Sequence, residues 1–149
     1  MPVPIETLKE RYPAAVTVKF GDSSALSAAL VSGIRSGKKA ATCGALRDFE
    51  AGEPLPSVGR RDIVLAWDGS PELVIETIEV VQCSFEEVTE AMALAEGEND
   101  DLESWRSNHR DFFQRNGGFS PEMQVVWERF ALIEDLAAKS CPSAPSGYC

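Results

Sequence analysis

A turn signal between two apolar runs most limits what this chain can fold into. Asp68-Gly69 separates the run 61–67, which reads RDIVLAW, from the run 73–81, which reads LVIETIEVV. Asp-Gly favours the tight turn of a β-hairpin, because glycine readily adopts the positive φ angles that such turns need. The second run also alternates apolar and polar residues from Ile75 to Glu79, as a half-buried strand does. An antiparallel hairpin is therefore predicted near the centre of the chain.

Helices and strands of uneven length are predicted around this hairpin. Before it, the pattern predicts a helix at 5–11, a strand at 16–20, a helix from the cap at 21–23 to Gly37 and an extended segment at 39–46. After it come a helix from the capping box Ser84/Glu87 to about Leu94, a helix from Asp100/Glu103 to Asn116 and a strand at 123–133. This order lacks the rhythm of a doubly wound sheet. It predicts an α+β fold with a small, mostly antiparallel barrel.

The length and ends of the chain predict one domain. A chain of 149 residues can bury one core, and residues 1–135 are expected to form it, with a helical lead-in. Residues 136–149, rich in proline, serine and glycine, are expected to be a flexible tail. No run approaches the roughly 20 apolar residues of a membrane helix, and the start lacks a basic segment followed by an apolar one. We expect a cytoplasmic protein that does not contact membranes, whose oligomeric state the sequence leaves open.

The formal net charge of -10 conceals an uneven distribution. Basic residues exceed acidic ones between 34 and 61, whereas the segment 84–105 contains many acids and no base. The net charge argues against a broad phosphate-binding surface, since nonspecific affinity for nucleic acid depends on neutralised phosphates. The two segments are either solvated faces of opposite charge or the two walls of one cleft.

One short motif, GKKAAT at 37–42, indicates a reactive site. Lys39 and Thr42 would point to opposite faces of a regular strand, so they converge only if the chain is still turning after Gly37. A lysine in a partly desolvated pocket can act as a base, and a neighbouring threonine hydroxyl can then act as a nucleophile. The same pair also suits a surface lysine and an ordinary strand threonine.

Two other groups were weighed as functional residues. The carboxylates Glu96, Glu98, Asp100 and Asp101 could hold Mg²⁺ or Mn²⁺, but such a run equally suits a helix start that faces water. No metal ligand is assigned, and the cofactor is unknown. His109 shares a helical face with Trp105 and Phe112, so it is interpreted as a packed core residue.

Several further motifs follow in a fixed order along the chain. They are FGDS at 20–23, GEPLP at 52–56, EGE at 96–98, WR at 105–106, FF at 112–113, FSP at 119–121 and ERF at 128–130. With GxKxxT, this order resembles the bacterial ASCH-domain proteins of the PUA-like superfamily over about residues 20–133. The resemblance implies a PUA-like β-barrel surrounded by helices, with a cleft that binds RNA or a modified nucleoside.

The resemblance implies hydrolase chemistry if the protein is an enzyme. Longer family members, nearer to this chain in length, are associated with ribonuclease activity, so cleavage of single-stranded RNA is the leading expectation. Small ASCH amidohydrolases, which release the acyl group from N4-acetylcytidine, imply Thr42 as nucleophile, Lys39 as its activating base and Glu98 at the leaving amine. A noncatalytic reader of RNA or a nucleotide is the third alternative. The segments around 50–59 and 102–119 are absent from the small amidohydrolases.

We expect Lys38, Arg47, Glu96 and Ser120 to contact the substrate, although Lys38 also suits a solvated cation that favours the end of a helix. Glu96 is the alternative to Glu98, two residues away. Arg47 stands near a position where family members often have an aromatic residue, so stacking on a base would be weaker here. Ser120 is expected near the cleft.

Overall fold

A mixed five-stranded sheet, curved into a half-barrel, forms the centre of the molecule. The computed structural model describes residues 3–137. Its elements are α1 (Ile5–Arg11), β1 (Val16–Lys19), α2 (Ser24–Arg35), β2 (Ala41–Ala45), α3 (Leu46–Glu50), β3 (Arg61–Leu65), β4 (Pro71–Ser84), α4 (Glu90–Ala95), α5 (Leu102–Arg115) and β5 (Gln124–Asp135). The strand order is β1-β3-β4-β5-β2, and among residues 3–137 only the β1-β3 pair is parallel. The predicted α+β fold is confirmed.

The predicted hairpin is formed by β3 and β4, which are antiparallel neighbours. Gly69 has a φ of 93°, and the Asp68 carboxylate accepts hydrogen bonds from both the backbone N–H and the hydroxyl of Ser70. The other long strand, β5, lies between β4 and β2, so its residues face partners on both sides. This central position of β5 sets the geometry of the site described below.

The sheet is covered on both faces. α1 packs Leu8 against Ile63 and Val74, whereas α2 packs Val31 and Ile34 against the opposite face. A third cluster joins the two ends of the long strands to α5; it comprises Ala45, Phe85, Val88, Ala93, Trp105, Phe113 and Val125.

Local details differ from the sequence prediction. The Ser84/Glu87 capping box forms, but it encloses a 3₁₀ turn at Phe85–Glu87, and Thr89 then caps α4 separately. The cap of α5 is Asp101 rather than Asp100, because the Asp101 carboxylate accepts a hydrogen bond from the backbone N–H of Ser104 at 2.7 Å. Helix α3 was not predicted. Within residues 3–137, every helix is too short or too polar to cross a bilayer. Residues 138–149 of the predicted tail lie outside the described residues.

Candidate functional site

The segment after α2 turns inward before β2 begins. Gly37 has a φ of 84°, and its backbone N–H donates to the carbonyl of Ile34. The next two backbone hydrogen bonds anchor the segment to helices. The N–H of Lys39 donates to the carbonyl of Gly33 in α2, and the N–H of Ala40 donates to the carbonyl of Ala95 at the end of α4. Lys39 is therefore placed before the regular pleat starts, and only 3% of it is exposed.

The buried ammonium of Lys39 lies among oxygen acceptors. Its Nζ donates to the carbonyl of Ala41 at 2.7 Å and to Glu98 Oε2 at 2.5 Å, and Glu96 Oε1 lies 3.9 Å away. The Glu98 side chain is 29% exposed and Glu96 only 1%, so Glu98 stands at the mouth of the site and Glu96 inside it. The sequence left these two glutamates as alternatives, and the structure brings both to Lys39.

Gly97 allows both glutamates to reach the same lysine. Its φ is 75°, and a Cβ atom at this position would lie 1.9 Å from the carbonyl oxygen of Lys38. The two backbones therefore touch where a side chain cannot fit, and the chain must reverse in a conformation that favours glycine. This close approach holds Glu96 and Glu98 beside Lys39.

Glu96 is paired on its inner side with His109. The His109 Nδ1 lies 2.9 Å from the carbonyl of Trp105, so this nitrogen carries a proton and donates it. The other nitrogen, Nε2, lies 3.1 Å from Glu96 Oε1, and this contact also needs a proton between the two atoms. His109 stacks on Trp105 with the ring centroids 4.1 Å apart. The residue is thus packed on the core, as interpreted from sequence, but its second nitrogen also reaches the site.

Thr42 lies on the other side of the site, on β2. It is directly opposite Glu128 on β5 in the antiparallel register, so the two side chains project from the same face of the sheet. Glu128 is 6% exposed. Within residues 3–137, no group donates a hydrogen bond to the Glu128 carboxyl or bonds to the Thr42 hydroxyl.

The pKa of Glu128 is raised to about 7. Loss of water around the buried carboxyl is the main cause, and the negative charge of Asp62 adds to it. Arg60 and Lys39 act in the opposite direction. Arg60 donates two hydrogen bonds to the Asp62 carboxylate, at 2.7 and 2.8 Å. Its positive charge therefore compensates Asp62 more than it stabilises a Glu128 carboxylate.

This arrangement can be compared with known proteins. A family model described as the ASCH domain matches residues 16–134, a range that contains Lys39, Thr42, Glu98 and Glu128. The chain belongs to the ASCH family. The family predicted from the sequence is therefore confirmed. ASCH domains are associated with RNA binding.

Solved structures share this fold. The ASCH domain from Lactobacillus crispatus JV V101 is 31% identical, with 85% of this chain and 84% of that chain covered and a TM-score of 0.74. Protein EF3133 from Enterococcus faecalis V583 is 28% identical, with 94% of each chain covered and a TM-score of 0.77. A mutant form of the ZmASCH protein from Zymomonas mobilis, 15% identical over 81% of this chain and 72% of that chain, has a TM-score of 0.50 and shares the fold alone. A search of curated proteins found no match.

The other predicted contact residues of the ASCH domain, Lys38, Arg47 and Ser120, form no side-chain hydrogen bond or ion pair with Lys39 in the described part of the chain. Lys38 is exposed, and its side chain has no partner within residues 3–137. Arg47 donates to the carbonyls of Gly118 at 2.7 Å and Asn116 at 3.3 Å, so its guanidinium fastens that loop. Ser120 lies in the exposed turn before β5. In the described part of the chain, no hydrogen bond or ion pair joins Arg47 or Ser120 to Lys39.

The acidic segment of this ASCH domain does not gather into one metal site. Glu96 and Glu98 turn towards Lys39, whereas Asp101 caps α5. Among residues 3–137, no three His, Cys, Asp or Glu side chains are grouped as a metal ion would require. The suggested Mg²⁺ or Mn²⁺ site is not formed by this run of carboxylates as the structure has it.

Glu128 is not among the predicted site residues, although it lies in the ERF motif that supports the family resemblance. The available signal was its position: Val126, Glu128 and Phe130 alternate along β5 and face the same side of the sheet. A carboxylate between two buried apolar residues on one face is costly, so it marks a position with a special environment.

Glu128→Gln should remove a pH-dependent loss of stability. Because the pKa is raised to about 7 from 4.5, the folded protein holds this proton more tightly than the unfolded chain between these values. The stability of the fold is therefore not reduced by Glu128 below about pH 4.5, and it falls as the pH rises towards about 7 because the unfolded chain releases this proton first. The loss amounts to about 3 kcal/mol, which a neutral glutamine should avoid. Urea denaturation should show the variant more stable than wild type at about pH 8 and similar to it at about pH 4.5; the same difference at both pH values would contradict this.

Proposed function

We propose that this ASCH protein hydrolyses the N4-acyl amide of an acylated cytidine, free or within RNA. The charge balance inside the cleft carries this proposal. Lys39 faces Glu98 and Glu96, and Arg60 faces Asp62, so in the described part of the cleft each buried cation already has a carboxylate partner. A phosphodiester would bring a further negative charge to this site. A neutral amide would not, and this favours amide hydrolysis over the phosphodiester cleavage that the sequence placed first.

The residues around Lys39 suit acyl transfer to Thr42. The Thr42 oxygen would bond to the acyl carbon, the bond from that carbon to N4 would break, and water would later cleave the resulting ester. Lys39 uses two N–H donors on Ala41 and Glu98, so a third N–H remains for the carbonyl oxygen as negative charge develops on it. Glu98, at the mouth, is placed to accept a hydrogen bond from the leaving amine.

Product analysis tests this function. The wild type should release cytidine and acetate from N4-acetylcytidine, and Thr42→Ala should lower the rate at least about 100-fold while the protein remains folded. Lys38→Ala is the matched control, because this exposed neighbour should be unnecessary for the free nucleoside. If the wild type releases no cytidine from either the nucleoside or an acetylated RNA oligonucleotide, the proposal is rejected.

A second candidate function is cleavage of single-stranded RNA. Lys38 supports it, because this exposed lysine lies beside the contact with Gly97 and could meet a phosphate. Labelled RNA would be incubated with nuclease-free wild type and with Lys39→Ala, with and without Mn²⁺. Shortened products from the wild type alone would favour ribonuclease activity. Saturable binding with no product under any of these conditions would favour a noncatalytic reader.

A further inference from the structure

Thr42 and Glu128 form a cross-strand pair whose polar atoms are unsatisfied by the protein. Paired positions on antiparallel strands place their Cβ atoms about 5 Å apart, so a threonine hydroxyl and a glutamate carboxyl can meet. Neither side chain has a hydrogen-bond partner within residues 3–137. The Glu128 residue is 6% exposed, and its carboxyl is not among the fully buried groups without a partner, so a substrate, water or the neighbouring hydroxyl can satisfy it. No hydrogen bond joins the two side chains in the described part of the chain, and it is their cross-strand register that would let a proton pass between them.

Lys39 is poorly arranged to take that proton. A base must offer a lone pair, whereas Lys39 Nζ donates hydrogen bonds to Ala41 and Glu98. Glu96 stands 3.9 Å from the same nitrogen and adds negative charge that stabilises an ammonium.

We propose that Glu128 is the base that activates Thr42, and that Lys39 remains an ammonium throughout. The inference rests on the proposed function and deepens it. As the Thr42 oxygen bonds to the acyl carbon, its proton moves to a Glu128 carboxylate oxygen. The pair of electrons in the broken carbon–nitrogen bond leaves with N4, which takes up that proton. The regenerated carboxylate then removes a proton from the water that cleaves the ester, and the threonine oxygen recovers a proton from Glu128.

The surroundings of Glu128 suit a base that works near neutral pH. The charged groups that face it are Asp62 and Arg60 at the start of β3 and Lys39 after α2. Burial and Asp62 favour the protonated acid, while the two cations favour the carboxylate. The two forms are therefore close in free energy, and a general base is most effective when its pKa lies near the working pH.

Acetylation of Thr42 by p-nitrophenyl acetate tests the base without requiring the natural substrate. The site and rate of acetylation would be measured by peptide mass spectrometry between about pH 5 and pH 9. In the wild type, the rate should rise with a midpoint near the Glu128 pKa of about 7. Glu128→Gln should lower the rate about 100-fold and remove the midpoint, and Glu128→Asp should retain a slower, pH-dependent reaction. Glu79→Gln is the matched control, because Glu79 pairs with Arg129 on the opposite face of the sheet and should react as wild type.

The outcomes test the identity of the base and the identity of the substrate separately. An unchanged rate in Glu128→Gln, or no acetylation of Thr42 in the wild type, overturns the inference. Should the glutamine variant fail to fold, Glu128→Asp decides, because loss of the pH midpoint in that folded variant also overturns it. Acetylation that depends on Glu128, with N4-acetylcytidine left intact, supports the base and rejects the proposed substrate.

Discussion

Lys39→Met should destabilise the protein by about 3–5 kcal/mol at pH 8, because it removes the ammonium that faces the buried Glu96 and the partly exposed Glu98. Methionine has a similar length and fills the space, so the change removes charge and hydrogen bonds rather than packing volume. Glu96 is 1% exposed, so its carboxylate would lose the most electrostatic stabilisation. The variant should also lose the proposed amide hydrolysis, since the acyl oxygen would have no ammonium near it.

Urea denaturation followed by tryptophan fluorescence measures the effect of Lys39→Met. Lys38→Met is the matched control and should change the free energy of unfolding by less than about 0.5 kcal/mol, because Lys38 is exposed. Adding Glu96→Gln to Lys39→Met should recover part of the loss, since the second change removes the uncompensated charge. Equal stabilities of the two single variants would show that the buried ion pair contributes nothing.

Gly97→Ala should destabilise the protein by more than about 3 kcal/mol. The new Cβ would lie 1.9 Å from the carbonyl oxygen of Lys38 and 2.9 Å from the Cα of Lys39. Both obstacles are backbone atoms, so the clash cannot be relieved by rotating a side chain. The chain would have to move, and this would carry Glu96 and Glu98 away from Lys39.

Gly37→Ala separates this clash from the cost of a positive φ. Gly37 has a φ of 84°, similar to the 75° of Gly97, but a Cβ there would meet no atom within 4 Å. Gly37→Ala should therefore cost only about 1–2 kcal/mol. Thermal and urea denaturation of both variants provide the comparison. If Gly97→Ala is no less stable than Gly37→Ala, the close approach of the two backbones does not matter.

The elements with strong local signals were predictable from sequence. The hairpin around Asp68-Gly69 and α2 after its Ser23 cap depend on neighbouring residues, and both formed where predicted. The cap of α5 was misplaced by one residue, because Asp100 and Asp101 offer the same side chain and only the backbone conformation selects between them. Helix α3 follows a strand directly and has no side-chain cap at its start, so the sequence lacks the usual signal for a helix there.

The candidate site was only partly predictable, because its geometry depends on long-range contacts. Lys39 and Thr42 were recognised from their motif, whereas their partners come from distant segments. The sequence motif offers Glu96 and Glu98 as alternatives for one position beside Lys39. Gly97 changes this by reversing the chain against Lys38. The pairing of Glu128 with Thr42 depends on strand register, which no local pattern in β2 specifies.

The peptide groups of Ala40 connect the two sides of the cleft mechanically. The N–H of Ala40 donates to Ala95 at the end of α4, and its carbonyl accepts from Phe130 on β5. The segment with Glu96 and Glu98 is therefore tied, through one residue, to the strand that carries Glu128. A displacement of α4 would therefore move the segment with Glu96 and Glu98 and the strand with Glu128 together. The distance between these two groups of carboxylates is thus set by main-chain hydrogen bonds.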